Sequence, residues 1–175
     1  AKAGNFSLQN LHERFELASP LYPYSAGIHP WYIREENIET DLLLLRNALL
    51  LDHFWAVGEC GLDRLSDVPF ALQEKIFIKQ IAIANELAKP MIIHCVRAYR
   101  ELLFLLKEFQ VNVPVIFHGF NGNFDTAITI IEKGYYLSFG KSIYNPVVQT
   151  YFPKLPANYI LMETDDSDES IEKIY

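Results

Sequence analysis

Short apolar runs alternate with amphipathic stretches along this chain. The runs at 24–28, 54–58, 91–94, 115–117, 135–139 and 159–162 are mostly dense in Val, Ile or aromatic residues, with little polar alternation. That pattern belongs to strands covered on both faces. Between them the period lengthens towards a helical repeat. Residues 41–51 are leucine-rich; 73–88 repeats Ile76, Phe77, Ile81, Ala84 and Leu87 and stops before Pro90. Residues 99–109 gather Leu102, Leu103, Leu106 and Phe109 on one face, and 124–133 ends at Gly134, a suitable residue after a helix. The stretch around His12 (LQNLHERFE) reads as polar helix.

Strand and helix alternating at intervals of roughly 20 to 35 residues predict βαβ units and a parallel sheet. An open doubly wound sheet and a closed barrel both fit that count. The polar residues that follow the strands decide between them. AGIHPW places His29, AVGECGLD places Glu59 and Asp63, MIIHCVRAY places His94, VIFHGFNG places His118, and ILMETDD places Glu163, Asp165 and Asp166. In a parallel barrel all such strand ends open on one rim, whereas an open sheet strings them along an edge. The expected fold is therefore α/β, a TIM-like (β/α) barrel in one domain over residues 1–175.

Composition narrows the setting. Half of the 175 residues are hydrophobic and 21% are charged, as in a chain that buries a core. Cys60 and Cys95 sit in apolar runs and read as reduced packing residues. No apolar stretch is long enough to span a membrane, and residues 1–9 lack a signal-peptide pattern, so a cytoplasmic setting is expected. Acids outnumber bases by 22 to 15, a net charge of −7 without any basic run. Tracking a DNA groove needs a field of cations. A phosphate-bearing substrate would here be engaged locally, with a metal supplying positive charge. No stable protein partner is expected.

Two histidines and several carboxylates converging on one rim suit a divalent cation with nitrogen and oxygen ligands. A single strand-end histidine is more often a hydrogen-bonded core residue, but His94 and His118 repeat the placement in separate units. Glu59 directly follows Ala56-Val57-Gly58, where a carboxylate is poorly solvated unless paired with a cation or a neighbouring Arg. Arg97, just past His94, and Lys141, after LSFG, are candidates to hold a phosphate oxygen, although Arg97 equally suits a solvent-facing helix start. His29 shapes the pocket. Trp31, Tyr99 and Phe120 adjoin the rim and are candidates to stack on a base. His12 and His53 read as surface residues.

Taken in order and spacing, GIHPW, VGECGLD, KPMIIHCVRAY, FHGFNG and LMETDD resemble the TatD family of metal-dependent deoxyribonucleases, within the amidohydrolase superfamily; the match spans about residues 24–166. The resemblance implies a TIM-like barrel that holds one to three divalent metal ions (Mg, Mn or Zn) and hydrolyses phosphodiester bonds in DNA. It implies that Glu59 bridges two metals, that His94 and His118 ligate the second, and that Asp165 is a ligand that also orients or deprotonates the attacking water. Glu59 and Asp165 are then the catalytic pair, and His29, Arg97, Glu163 and Lys141 the substrate-side residues.

The chain departs from the family at its start. The family's opening Asp-x-His-x-His motif is not found, and only ten residues follow Asp165. A barrel of this kind needs about 200 or more residues. The barrel is thus expected to be incomplete at both ends, with the missing segments in a longer chain. Two other functions remain open at this stage. One is an amidohydrolase-type amide, ester or lactone hydrolase on a small substrate, and the other a degenerate barrel that only binds.

Overall fold

The computed structural model describes residues 8–11, 15, 18–165 and 171–174. Among the described residues, seven parallel strands form one sheet in strict chain order. They are β1 (Gln9–Leu11), β2 (Tyr24–Ala26), β3 (Phe54–Asp63), β4 (Met91–Val96), β5 (Val115–Phe117), β6 (Tyr136–Phe139) and β7 (Ile160–Met162). The connecting helices are α1 (Ile38–Leu49), α2 (Phe70–Leu87), α3 (Tyr99–Glu108) and α4 (Phe124–Glu132), then the short α5 (Pro146–Tyr151) and α6 (Ile171–Ile174).

Local chemistry explains the boundaries. The Asn123 side chain accepts the Thr126 N–H at 2.9 Å and starts α4, while Asn145 does the same for Val147 at the Pro146 start of α5. The helix α2 ends at Ala88 in the left-handed conformation, two residues before Pro90. The core lies between sheet and helices. Phe54, Val57, Met91, Ile93, Val115, Phe117, Leu137 and Phe139 from the strands meet Leu45, Leu49, Phe77, Ile81, Leu102, Leu106 and Ile130 from the helices.

Three expectations change. The segment read as polar helix contains β1, whose Gln9, Asn10 and Leu11 pair with Tyr24, Ser25 and Ala26; His12 lies outside the described residues. The third strand runs five residues beyond Gly58, to Asp63. Its register against β4 passes from Val57↔Met91 to Cys60↔Ile93, three steps against two. This bulge carries Gly58 and Glu59 and lets the strand continue while re-aiming a side chain. Glu59 and His94 therefore sit within strands, not at their ends. Finally, α5 had no counterpart in the apolar pattern.

Two buried glutamines on α2 fasten the strand ends. Gln80 Oε1 accepts the Ile28 N–H at 2.8 Å and its Nε2 donates to the Ile28 carbonyl at 3.1 Å, which fixes the residue before His29. Seven residues earlier, Gln73 accepts the Asp63 N–H at 2.8 Å and donates to the carbonyls of Asp63 at 3.0 Å and Val68 at 2.8 Å. In Gln73→Leu these buried backbone groups lose their partners. The expected cost is about 2–4 kcal/mol, read as a lower urea midpoint. A loss below about 0.5 kcal/mol, the range of an ordinary surface change, would show that the clamp contributes nothing.

Candidate metal centre

The strand order brings one polar side chain after another to the same rim. His29 follows β2, Glu59 sits on the β3 bulge, His94 on β4, His118 just after β5, and Asp165 after β7 at a positive φ of 47°. They close into two groups. His29, Glu59 and His94 have ligand atoms within 4.8 Å of one another, and so do Glu59, His118 and Asp165. Glu59, 7% exposed, belongs to both. Strands β3 and β7 stand four places apart, about 19 Å in a flat sheet. Donor atoms within 4.8 Å of each other require the sheet to curl as a barrel wall. The resemblance implied that His94 and His118 share one cation; their ring centroids stand 5.6 Å apart, and Glu59 is common to the groups that contain each of them.

Carboxylates dominate the electrostatics. His118 Nε2 lies 3.2 Å from Glu59 Oε2, and its Nδ1 lies 3.7 Å from Glu163 Oε1. Burial disfavours a charged imidazole there, but the two carboxylates outweigh it and push His118 up to about 10. Even so, this buried Nε2 has no hydrogen-bond partner among the described residues. His94 is the opposite case. Burial holds its pKa below the ordinary value against the pull of Asp63, which favours the neutral, ligand-competent ring. Asp63 is depressed: burial opposes its charge, but the Trp31 indole at 2.6 Å, the Leu65 N–H at 2.7 Å and His94 Nε2 at 3.1 Å overcome that. His29 Nδ1 faces the Trp31 backbone N–H at 3.2 Å, and its Nε2 lies 4.0 Å from Glu59 Oε2. Asn10 on β1 donates to Glu59 Oε1 and accepts the Ser25 hydroxyl.

A divalent cation fits these residues. The donors are imidazole nitrogens and carboxylate oxygens, a set suited to Zn, Mn or Mg. An unbonded ring nitrogen beside a buried carboxylate is the arrangement a cation completes.

The other candidates divide. Glu163 lies beneath His118 and accepts the Gly119 N–H at 2.6 Å. Lys141 is exposed and lines a cleft of about 370 Å³ with Gly119, Asn121, Ser142, Asn145 and Asp165. Arg97 is exposed just before α3, at a φ of 53°. His53 precedes β3 at the opposite rim. Phe120 is 0% exposed and packs on Phe139, and Tyr99 leans into the same aromatic cluster, so neither is a stacking surface. Trp31 remains open to solvent. The sequence reading missed Asn10, whose strand is three residues long, and the Trp31–Asp63 bond, whose only signal was the Trp adjoining the rim.

Residues 5–171 match the profile of the family described as TatD related DNase. The chain belongs to that family. Among TatD relatives, an uncharacterized metal-dependent hydrolase of Haemophilus influenzae is 33% identical over 155 residues, covering 83% of this chain and 59% of its own length. The 3′-5′ ssDNA/RNA exonuclease TatD of Edwardsiella piscicida is 33% identical over 151 residues, with 81% and 56% covered. The crystal structure of the Escherichia coli TatD homologue YjjV superposes with a TM-score of 0.76 at 26% identity, covering 90% of this chain and 66% of that one. This chain thus spans less than three-fifths of the length of those two sequence relatives.

Proposed function

We propose that this chain carries the divalent-metal site of a TatD-type nuclease that cleaves phosphodiester bonds through an activated water. The observation that carries the reading is Glu59, buried and common to two groups of donors that close within 4.8 Å. A pair of cations would be held by His29, Glu59 and His94 on one side and Glu59, His118 and Asp165 on the other. When bound, they supply Lewis acidity and lower the pKa of a coordinated water.

The chain's own residues do the rest. Asp165 would accept the proton of the attacking water as the water oxygen forms a bond to phosphorus; the bond to the leaving oxygen breaks, and the proton passes on from Asp165 to that oxygen, which leaves as an alcohol. Glu163 holds His118 in orientation through Nδ1. Lys141, beside Asp165 in the polar cleft, would hold a non-bridging phosphate oxygen, and the exposed Arg97 is a second candidate for that role. With a net charge of −7, binding is confined to a strand end or a short single strand. The exonuclease name of the Edwardsiella relative supports a nucleic-acid substrate. The free Cys60 and Cys95 support a reducing, cytoplasmic setting. Among the described residues no helix is long and apolar enough to cross a membrane.

The acidic charge also favours a small neutral substrate, which makes ester hydrolysis the competing reading. The test offers bis-p-nitrophenyl phosphate and p-nitrophenyl acetate with Mg²⁺, Mn²⁺ or Zn²⁺. Metal-dependent turnover of the diester, abolished by EDTA, and a metal-induced rise in Tm are expected. Turnover of the acetate alone would replace the nuclease reading with the ester one. Failure to take up any metal would leave only a binding role.

A further inference from the structure

Two tryptophans occur in the chain, and both are about half exposed, Trp31 at 54% and Trp55 at 51%. Their wiring differs. The Trp55 indole N–H bonds a carbonyl three residues away, that of Asp52, on the far rim from the metal centre. Trp31 sends its N–H to Asp63, 32 positions along the chain, at 2.6 Å. The same oxygen, Asp63 Oδ2, faces His94 Nε2 at 3.1 Å. The Trp31 ring stands edge-on to His29 and His94, with centroids 4.9 and 5.7 Å away. Tyr32, 48% exposed, lies beside it with its centroid 6.5 Å off. A large aromatic surface is thus held rigid and open to solvent next to the candidate cation ligands.

We propose that Trp31 is a base-stacking shelf wired to the metal centre: its open face receives the nucleobase beside the scissile phosphate, and its indole N–H, through Asp63, positions His94. The idea rests on the nuclease reading above and deepens it. A nucleobase is the fitting occupant because stacking on an indole tolerates any base, and because the residues next to it suit a phosphate-bound cation. The anchored ring loses little freedom when a base lands on it. In an acidic protein, stacking also supplies affinity that a basic groove would otherwise provide. Trp31 acts on the chemistry as a positioning residue, through Asp63 and His94.

Trp55→Phe leaves Trp31 as the sole tryptophan fluorophore. The Zn²⁺-loaded protein is titrated with a phosphorothioate-linked oligothymidylate, which resists cleavage, and with the same backbone carrying abasic sites. The thymine strand is expected to quench Trp31 emission and the abasic strand to leave it unchanged. Two substitutions of Trp31 then separate the roles. Trp31→Phe keeps a stacking ring but no donor: oligonucleotide affinity should stay within about threefold, while Zn²⁺ affinity falls about tenfold or more. Trp31→Ala loses both, with oligonucleotide binding weakened about tenfold or more. Equal quenching by the abasic strand, or unaltered Zn²⁺ affinity in Trp31→Phe, would overturn the shelf. Failure of the parent protein to take up Zn²⁺, Mg²⁺ or Mn²⁺ would instead overturn the metal-hydrolase reading beneath it.

Discussion

Replacing Glu59 by Gln is expected to abolish uptake of the cation pair and to slow diester hydrolysis at least about a thousandfold, while the protein still folds. The substitution keeps size and shape, so the packing of the β3 bulge is undisturbed. What it removes is the one charge common to both donor groups. A neutral amide offers a weak carbonyl oxygen on one side and, on the other, an N–H₂ whose hydrogens point at any cation. Loss of His94 or His118 empties one group and leaves the other with its shared carboxylate. Loss of Glu59 weakens both at once, so its effect should exceed that of either histidine alone. Inductively coupled plasma analysis and the metal-induced Tm rise read the binding, and the chromogenic diester reads the chemistry. A Glu59→Gln protein with normal metal content and normal turnover would remove the basis of the proposed mechanism.

Glu59, His94 and His118 were legible as candidates because each interrupts an apolar run, and burying a polar group needs a reason. The parallel sheet was legible from the same runs. How the ligands are shared was not, since that depends on how far the sheet curls. The bulge at Gly58 and Glu59 hid the true length of β3: ECGLD looked like a loop after a strand and is strand. The glutamines at 73 and 80 lie off the apolar repeat of their helix, yet both are buried against backbone outside it, Gln80 on Ile28 far away in sequence and Gln73 on Asp63 ten residues before it. Trp31 and Phe120 show the same limit from the other direction. Both adjoin the rim in sequence, yet one ring is half in solvent and the other closed in the core. Local pattern carries the period of an element and the ends of its apolar face. It carries little about which tertiary partner a polar or aromatic side chain finds.

The lengthened strand also sets the site's most sensitive backbone position. Gly61 has a φ of 145°, a conformation essentially reserved for glycine, and pairs with His94 across β3 and β4. A Cβ placed there would lie 2.0 Å from the His94 carbonyl oxygen, a backbone atom that cannot rotate away. Gly61→Ala must therefore push β4 off β3 where His94 is presented, and two costs add. Backbone strain and the broken pairing should together destabilise the fold by about 3 kcal/mol or more, and the displaced His94 should lower metal affinity in whatever protein still folds. Gly134→Ala is the control. That residue has a φ of 80° but nothing within 4 Å of its added Cβ, so it bears only the left-handed penalty of about 1–2 kcal/mol. Urea unfolding of the two variants separates conformational strain from the clash. Equal losses would mean that β3 and β4 can part at Gly61 without cost, and that the position does not lock His94 to the rim.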